Sequence, residues 1–209
     1  MMDTALALAR AGLGTTAPNP SVGCVLLKDG KIIGTGITAP GGRPHAEQQA
    51  LVIAGDEARG STAYVTLEPC AHFGQTPPCA DALIKAGIAR VVIACTDPDK
   101  RTAGQGAAML IAAGITVETG VRQADAESHH AGFFHRINRG WPLVAIDANS
   151  SGYDLSLEIF EKTDVLTILR ALGADGITRL RLPPGSAAAK AAIAANLVDV
   201  KAAEINTTR

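Results

Sequence analysis

Apolar and polar positions along the chain switch repeatedly between a helical and a strand period. Residues 2 to 13 place Leu6, Ala9 and Leu13 on one helical stripe, and Gly12, Gly14, Pro18 and Pro20 close the segment. Val22 to Leu27 and Lys31 to Gly36 flank Asp29-Gly30, a dipeptide that tolerates the positive φ angles of a tight turn, so a β-hairpin is expected. The spacing then predicts a helix over 45–58, entered through Gly41-Gly42-Arg43-Pro44, and a strand over 62–67. Pro77-Pro78 stands ahead of a helix over 79–86 that Gly87 ends. Val91 to Cys95 is a continuous apolar run, the pattern of a strand covered on both faces. A helix over 104–113, a strand over 115–117 and a helix over 122–138 continue the alternation. This order predicts the α/β class: a three-layer α/β/α sandwich whose mixed central sheet opens with an antiparallel hairpin and continues by parallel crossovers.

Near Gly140-Trp141-Pro142 the texture changes, which divides the chain into 1–142 and 143–209. The second segment predicts a strand over 143–146, a turn at 149–152, a helix near 158–172, a strand near 177–182 and an Ala-rich helix over 186–195. That last helix reads as core packing with an apolar face that a second copy could cover, so a homodimer is expected. His129, His130 and His135 fall on a polar helix and are expected to be solvated.

Composition narrows the function classes. With 19 basic and 20 acidic side chains the net charge is −1, which leaves no basic excess for nucleic-acid binding. No apolar run has the length of a membrane helix and no leader pattern precedes the first helix, so neither a membrane nor a nucleic-acid partner is expected and a cytoplasmic location is. Four cysteines are too few for a disulfide scaffold. Cys24 and Cys95 sit inside apolar strands and are expected to be small core hydrophobes.

Cys70 and Cys79 have different neighbours. Pro44-His45-Ala46-Glu47, Glu68-Pro69-Cys70 and Thr76-Pro77-Pro78-Cys79 all fall where strands hand over to helices, the usual place of a ligand site in a parallel sheet. Helix N-termini favour thiolate there. His45, Cys70 and Cys79 make a tetrahedral Zn²⁺ set with one position unfilled by protein, which catalytic zinc sites keep for water and structural sites close. Glu47, in the same first turn as His45, is placed to take a proton from that water and pass it to a ring nitrogen and a departing amine. His-x-Glu followed by Pro-Cys and a further Cys is the signature of hydrolytic nucleobase deaminases. Their short cysteine spacing is replaced here by eight residues, Ala71 to Pro78, whose polar members are expected to line a substrate pocket.

Three runs carry a closer likeness: Ala17-Pro18-Asn19-Pro20-Ser21-Val22-Gly23-Cys24-Val25, Gly41-Gly42-Arg43-Pro44-His45-Ala46-Glu47, and Thr66-Leu67-Glu68-Pro69-Cys70 through Ala71-His72-Phe73-Gly74-Gln75-Thr76 to Pro77-Pro78-Cys79. Together with Ala86 to Val92 and Asp97-Pro98-Asp99 they resemble the pyrimidine deaminase of riboflavin biosynthesis over about residues 2 to 142. The resemblance implies a cytidine-deaminase-like fold and hydrolysis of the 2-amino group of 2,5-diamino-6-ribosylamino-4(3H)-pyrimidinone 5′-phosphate. It implies zinc on His45, Cys70 and Cys79, Glu47 as proton shuttle, and Asn19, His72 and Gln75 in the substrate site. Gln75 stands where relatives commonly carry Lys or Arg, which leaves open another aminopyrimidine, an aminopurine or a pterin as substrate. An inactive zinc-stabilised subunit is a third reading, against which the complete His-Glu-Cys-Cys set weighs. Relatives continue into a reductase domain that uses NADPH, and Arg139 to Val144 resembles its entry strand. Its Ser-Leu-Asp-Gly is absent from 149–152 and its Glu-Gly-Gly is replaced by Pro183-Pro184-Gly185, so residues 143–209 are expected to be a reductase-like remnant without reductase activity.

Overall fold

A computed structural model describes residues 1–74, 76–160 and 164–201. Helix α1 (Met2–Ala11) leads into the hairpin β1 (Gly23–Lys28) and β2 (Lys31–Ile37), then α2 (Ala46–Ala54), β3 (Thr62–Val65), α3 (Cys79–Ala86), β4 (Arg90–Ile93), α4 (Gln105–Ala112), β5 (Thr116–Thr119) and α5 (Gln123–Arg139). Asp29 and Gly30, both at positive φ, close the hairpin as expected. The five strands form one sheet in the order β2-β1-β3-β4-β5, antiparallel across β2-β1-β3 and parallel across β3-β4-β5. Helices α2, α3 and α4 pack side by side on one face and α1 with α5 on the other, giving the expected three layers and mixed sheet.

Val91, Val92, Ile93, Ala94 and Cys95 are buried, as a strand covered on both faces requires. Cys24 and Cys95 are packed in the core, and burial pushes both thiols up, Cys95 to about 12. Helix α2 sits so close to β2 that a Cβ on Gly36 would lie 2.0 Å from the Ala46 carbonyl oxygen, and one on Gly34 2.3 Å from that of Ala50. Only glycine fits under this helix.

After α5 the chain builds a second sheet from β6 (Leu143–Ile146), β7 (Leu155–Ser156), α6 (Val165–Ala174), β8 (Arg179–Leu182), α7 (Ala187–Ala194) and β9 (Val200–Lys201). All its pairings are parallel, in the order β7-β8-β6-β9. The two-residue strands β7 and β9 carry no periodicity for the sequence to reveal. Helix α6 begins at Val165 rather than near 158, because the Asp164 side chain accepts a hydrogen bond from the Thr167 N–H and caps it; residues 161–163 of the predicted helix lie outside the described residues. Ala188, Ala189 and Ala192 of α7 are buried with Val144, Leu169, Leu180 and Leu182 in a core of their own. Among the described residues no helix is long and apolar enough to cross a membrane.

The α5 histidines correct the sequence reading. His129 and His130 are buried and His135 is largely covered, because α5 lies between the first sheet and the second segment instead of facing water. The His129 Nε2–H donates to the Ser21 carbonyl at 2.7 Å, and His130 Nε2 lies 3.3 Å from Thr66 Oγ1. His135 Nε2 faces Asp199 Oδ1 at 3.3 Å. Burial lowers His129 to about 4 and His130 well below its ordinary value.

Two expectations follow from this packing. Gly36→Ala should cost roughly 2–4 kcal/mol, because the new methyl displaces the start of α2; a denaturant midpoint equal to the wild type would show that the helix can move away freely. The two neutral histidines contribute stability that is complete above the unfolded-state value of about 6.5 and is lost as the pH falls toward 4, by about 3 kcal/mol for His129 alone. His129→Gln, which can still donate to Ser21 but cannot be protonated, should flatten the melting temperature between pH 7 and 4.5; an equal slope in both proteins would contradict this.

Candidate active site

The parallel strands β3 and β4 end at the same edge of the sheet, and the loops that leave them meet the first turns of α2 and α3 there. His45 is the N-cap residue of α2, with extended backbone, and Glu47 lies in that helix's first turn. Cys70 follows β3, and Cys79 opens α3 behind Pro78. One nitrogen and two sulfur donors of His45, Cys70 and Cys79 lie within 4.8 Å of one another. His45 Nδ1 is 3.3 Å from Cys79 Sγ and 3.8 Å from Cys70 Sγ, and the Cys79 N–H donates to Cys70 Sγ at 3.2 Å. A tetrahedral zinc ion with bonds of about 2.0 Å to nitrogen and 2.3 Å to sulfur separates its donors by about 3.5–3.8 Å, so the spacing fits.

Electrostatics favours the same occupant. Hydrogen bonds with Cys79 and His45 draw the Cys70 thiol down to about 4, whereas the neighbouring Cys70 sulfur and burial push Cys79 well up. The hydrogen bond to Cys70 raises His45. A cation between the sulfurs would offset the repulsion that a second thiolate meets in this cluster. Glu47 is 4% exposed, and burial together with the Cys70 charge raises its carboxyl to about 7.

The loop holding Cys70 is fixed from behind. The buried Glu68 carboxylate accepts hydrogen bonds from the N–H groups of Gly104, Ala107 and Asp97 at 3.0, 3.1 and 3.4 Å, which ties the end of β3 to the loop after β4 and the first turn of α4. That turn approaches so closely that a Cβ on Gly106 would meet the Pro69 carbonyl oxygen at 2.1 Å.

His45, Glu47 and Cys70 open into a cleft of about 260 Å³ that Asn19 and His72 also line. Asn19 Nδ2 donates to the Gly42 carbonyl at 2.8 Å and lies 3.3 Å from His45 Nε2. Gly42, at φ +89°, leaves room for it, since a Cβ there would come within 3 Å of the amide. His72 Nδ1 faces Thr102 Oγ1 at 3.3 Å. Gln75 lies outside the described residues. Sequence reasoning missed several walls of the cleft: Arg43, Asp97, Arg101, Phe133 and Arg136. Arg43 had a usable signal, a charged residue two positions ahead of the His45 helix start. Phe133 and Arg136 had none, because α5 reaches the cleft only through tertiary packing.

Residues 1–95 match the family model for the cytidine and deoxycytidylate deaminase zinc-binding region. The riboflavin biosynthesis protein RibD of Escherichia coli K12 is 51% identical over 150 residues, 72% of this chain and 41% of that protein. The chain thus spans about two fifths of the length of such relatives. A solved structure of Acinetobacter baumannii RibD is similar with a TM-score of 0.79 at 29% identity, over 95% of this chain and 83% of that one, so the fold is cytidine-deaminase-like. The diaminohydroxyphosphoribosylamino-pyrimidine deaminase of Buchnera aphidicola subsp. Acyrthosiphon pisum is 50% identical over 141 residues, 68% of this chain and 96% of that protein. With that identity across nearly the whole of that relative, and with the histidine and cysteine donors gathered in one cleft, the chain belongs to the diaminohydroxyphosphoribosylaminopyrimidine deaminase family.

Proposed function

We propose that the protein is a zinc-dependent aminohydrolase that replaces the 2-amino group of 2,5-diamino-6-ribosylamino-4(3H)-pyrimidinone 5′-phosphate by oxygen, consuming water and releasing ammonia. The observation that carries this reading is the gathering of the His45, Cys70 and Cys79 donors beside the buried Glu47 carboxyl in one cleft. His45, Cys70 and Cys79 would hold the metal, which when bound supplies the Lewis acidity that brings the pKa of water near neutrality.

The chain's own groups handle protons and position. Glu47 Oε takes a proton from the attacking water and delivers it to the ring nitrogen as the water oxygen bonds to ring carbon 2; it then takes the second proton from that oxygen and delivers it to the amine, and the bond from carbon 2 to the amine nitrogen breaks as ammonia leaves and the carbonyl forms. Its burial suits it, because a carboxyl held near neutrality can both take and return a proton. Asn19 and His72 offer amide and imidazole groups to the polar pyrimidine from the cleft wall, and Gln75 belongs to the same loop as His72.

We assign residues 1–142 to this deaminase and 143–209 to a reductase-like remnant. In support, the sequence match to Escherichia coli RibD covers 72% of the chain, whereas the structural match to Acinetobacter baumannii RibD covers 95% of it. We also place the protein in the cytoplasm as a homodimer; Val52 and Ile53, 82% and 64% exposed on α2, offer the apolar surface that α7 buries internally.

Glu47→Gln should keep about one zinc per chain and lose ammonia release by about 100- to 10,000-fold. Undiminished turnover of the aminopyrimidine phosphate in that variant, with zinc quantified in both proteins, would remove Glu47 from the chemistry. Static light scattering at micromolar concentration should give twice the chain mass, and a monomer there would end the dimer assignment.

A further inference from the structure

The cleft contains three guanidinium groups, and the structure treats them differently. Arg101 is neutralised by Asp99: its Nε donates to Oδ1 and Oδ2 at 3.0 Å, and its Nη2 completes the fork. Arg136 has no carboxylate within ion-pair distance among the described residues, but its Nε–H donates to the Gly173 carbonyl at 2.8 Å, which anchors that edge of its fork to α6. Arg43 is half-buried and has no carboxylate within ion-pair distance among the described residues. Its Nη1 donates to Thr76 Oγ1 at 2.7 Å, and its Nη2 lies 3.0 Å from where a Cβ on Gly74 would stand. The guanidinium therefore lies against the loop of Gly74 and Thr76, two residues ahead of His45, and among the described residues Nη2 and Nε donate no hydrogen bond.

The loop it lies against, Ala71 to Pro78, contains no Lys or Arg. The cleft's carboxylates do not compensate Arg43 either. Glu68 is occupied by three backbone N–H groups and Asp99 by Arg101. Burial raises Asp97 to about 7. An uncompensated, pre-oriented guanidinium fork at the mouth of a polar cleft is the arrangement that binds a phosphate monoester through two parallel hydrogen bonds. Thr76 Oγ1, which accepts from Arg43, has a hydroxyl hydrogen that among the described residues meets no acceptor and can join the same oxygens.

We propose that Arg43, steadied by Thr76, is the residue by which this cleft recognises the 5′-phosphate of its substrate and rejects the unphosphorylated ribosylaminopyrimidine. This rests on the deaminase reading above for the identity of the ring, but the phosphate contact can be tested without turnover.

The zinc-loaded full chain is assayed for ammonia release from the phosphorylated compound and from its dephosphorylated counterpart. Binding of ribose 5-phosphate is measured separately by calorimetry. Arg43→Gln should reduce the ratio of kcat/KM for the two compounds by about 10- to 100-fold, mostly through KM, and weaken ribose 5-phosphate by a similar factor. Arg43→Lys, which keeps the charge and loses the fork, should fall between. Arg101→Gln should preserve the ratio, because that guanidinium is already paired. The proposal is overturned if Arg43→Gln leaves the ratio and ribose 5-phosphate binding unchanged, or if Arg101→Gln rather than Arg43→Gln abolishes them. If the wild type deaminates neither compound yet binds ribose 5-phosphate through Arg43, the deaminase reading fails and the anion site stands.

Discussion

The site depends first on how closely α2 lies against the sheet. With Gly34 and Gly36 beneath it, the helix backbone settles almost onto β2, and its first turn reaches the sheet edge where β3 and β4 end. His45 and Glu47 are adjacent in sequence to that contact, so their position relative to Cys70 is set by backbone packing rather than by flexible side chains. Larger residues on β2 would lift the helix and separate the imidazole from the thiols. A tightly packed interior transmits such a shift instead of absorbing it.

A second constraint acts on charge. Two thiols, an imidazole and a carboxyl share a partly buried volume at the cleft, where hydrogen bonds from Cys79 and His45 pull the Cys70 thiol down while Cys70 and burial push the Cys79 thiol up. Glu68 matters to this cluster although it never touches it. By gathering three backbone N–H groups it fixes the peptide that carries Cys70, so the donor spacing is built into the scaffold before any ion arrives. Scaffolds that hold donors in place in this way limit the reorganisation that binding would otherwise require.

The sequence displayed the first segment well because its elements are long, strongly periodic and punctuated by residues with definite backbone preferences. Asp29-Gly30, Pro77-Pro78 and Gly87 each mark a boundary that the structure keeps within a residue or two. His45, Glu47, Cys70 and Cys79 were equally legible, because their chemistry is confined to short motifs. The α5 histidines were misread for a physical reason: the helix has a polar composition, yet a second segment folds over it, and no local pattern records a neighbour that arrives from Arg179 or Asp199. Arg136 was illegible on the same ground. Its role as cleft wall comes from the direction α5 takes across the sheet, a property of the assembled layers.

The bond from Arg136 Nε to the Gly173 carbonyl joins the cleft wall to helix α6. Phe133 of α5 lines the cleft, while Gly132 lies against Arg179 so closely that a Cβ there would overlap that side chain. The second segment thus acts as a buttress for one side of the cleft, whatever chemistry it has or lacks. A fragment ending near residue 142 would leave a cleft-facing guanidinium without its carbonyl acceptor and free to swing toward the ligand. Kinetic constants measured on such a fragment would describe a cleft whose positive charge sits in a different place from that of the whole chain.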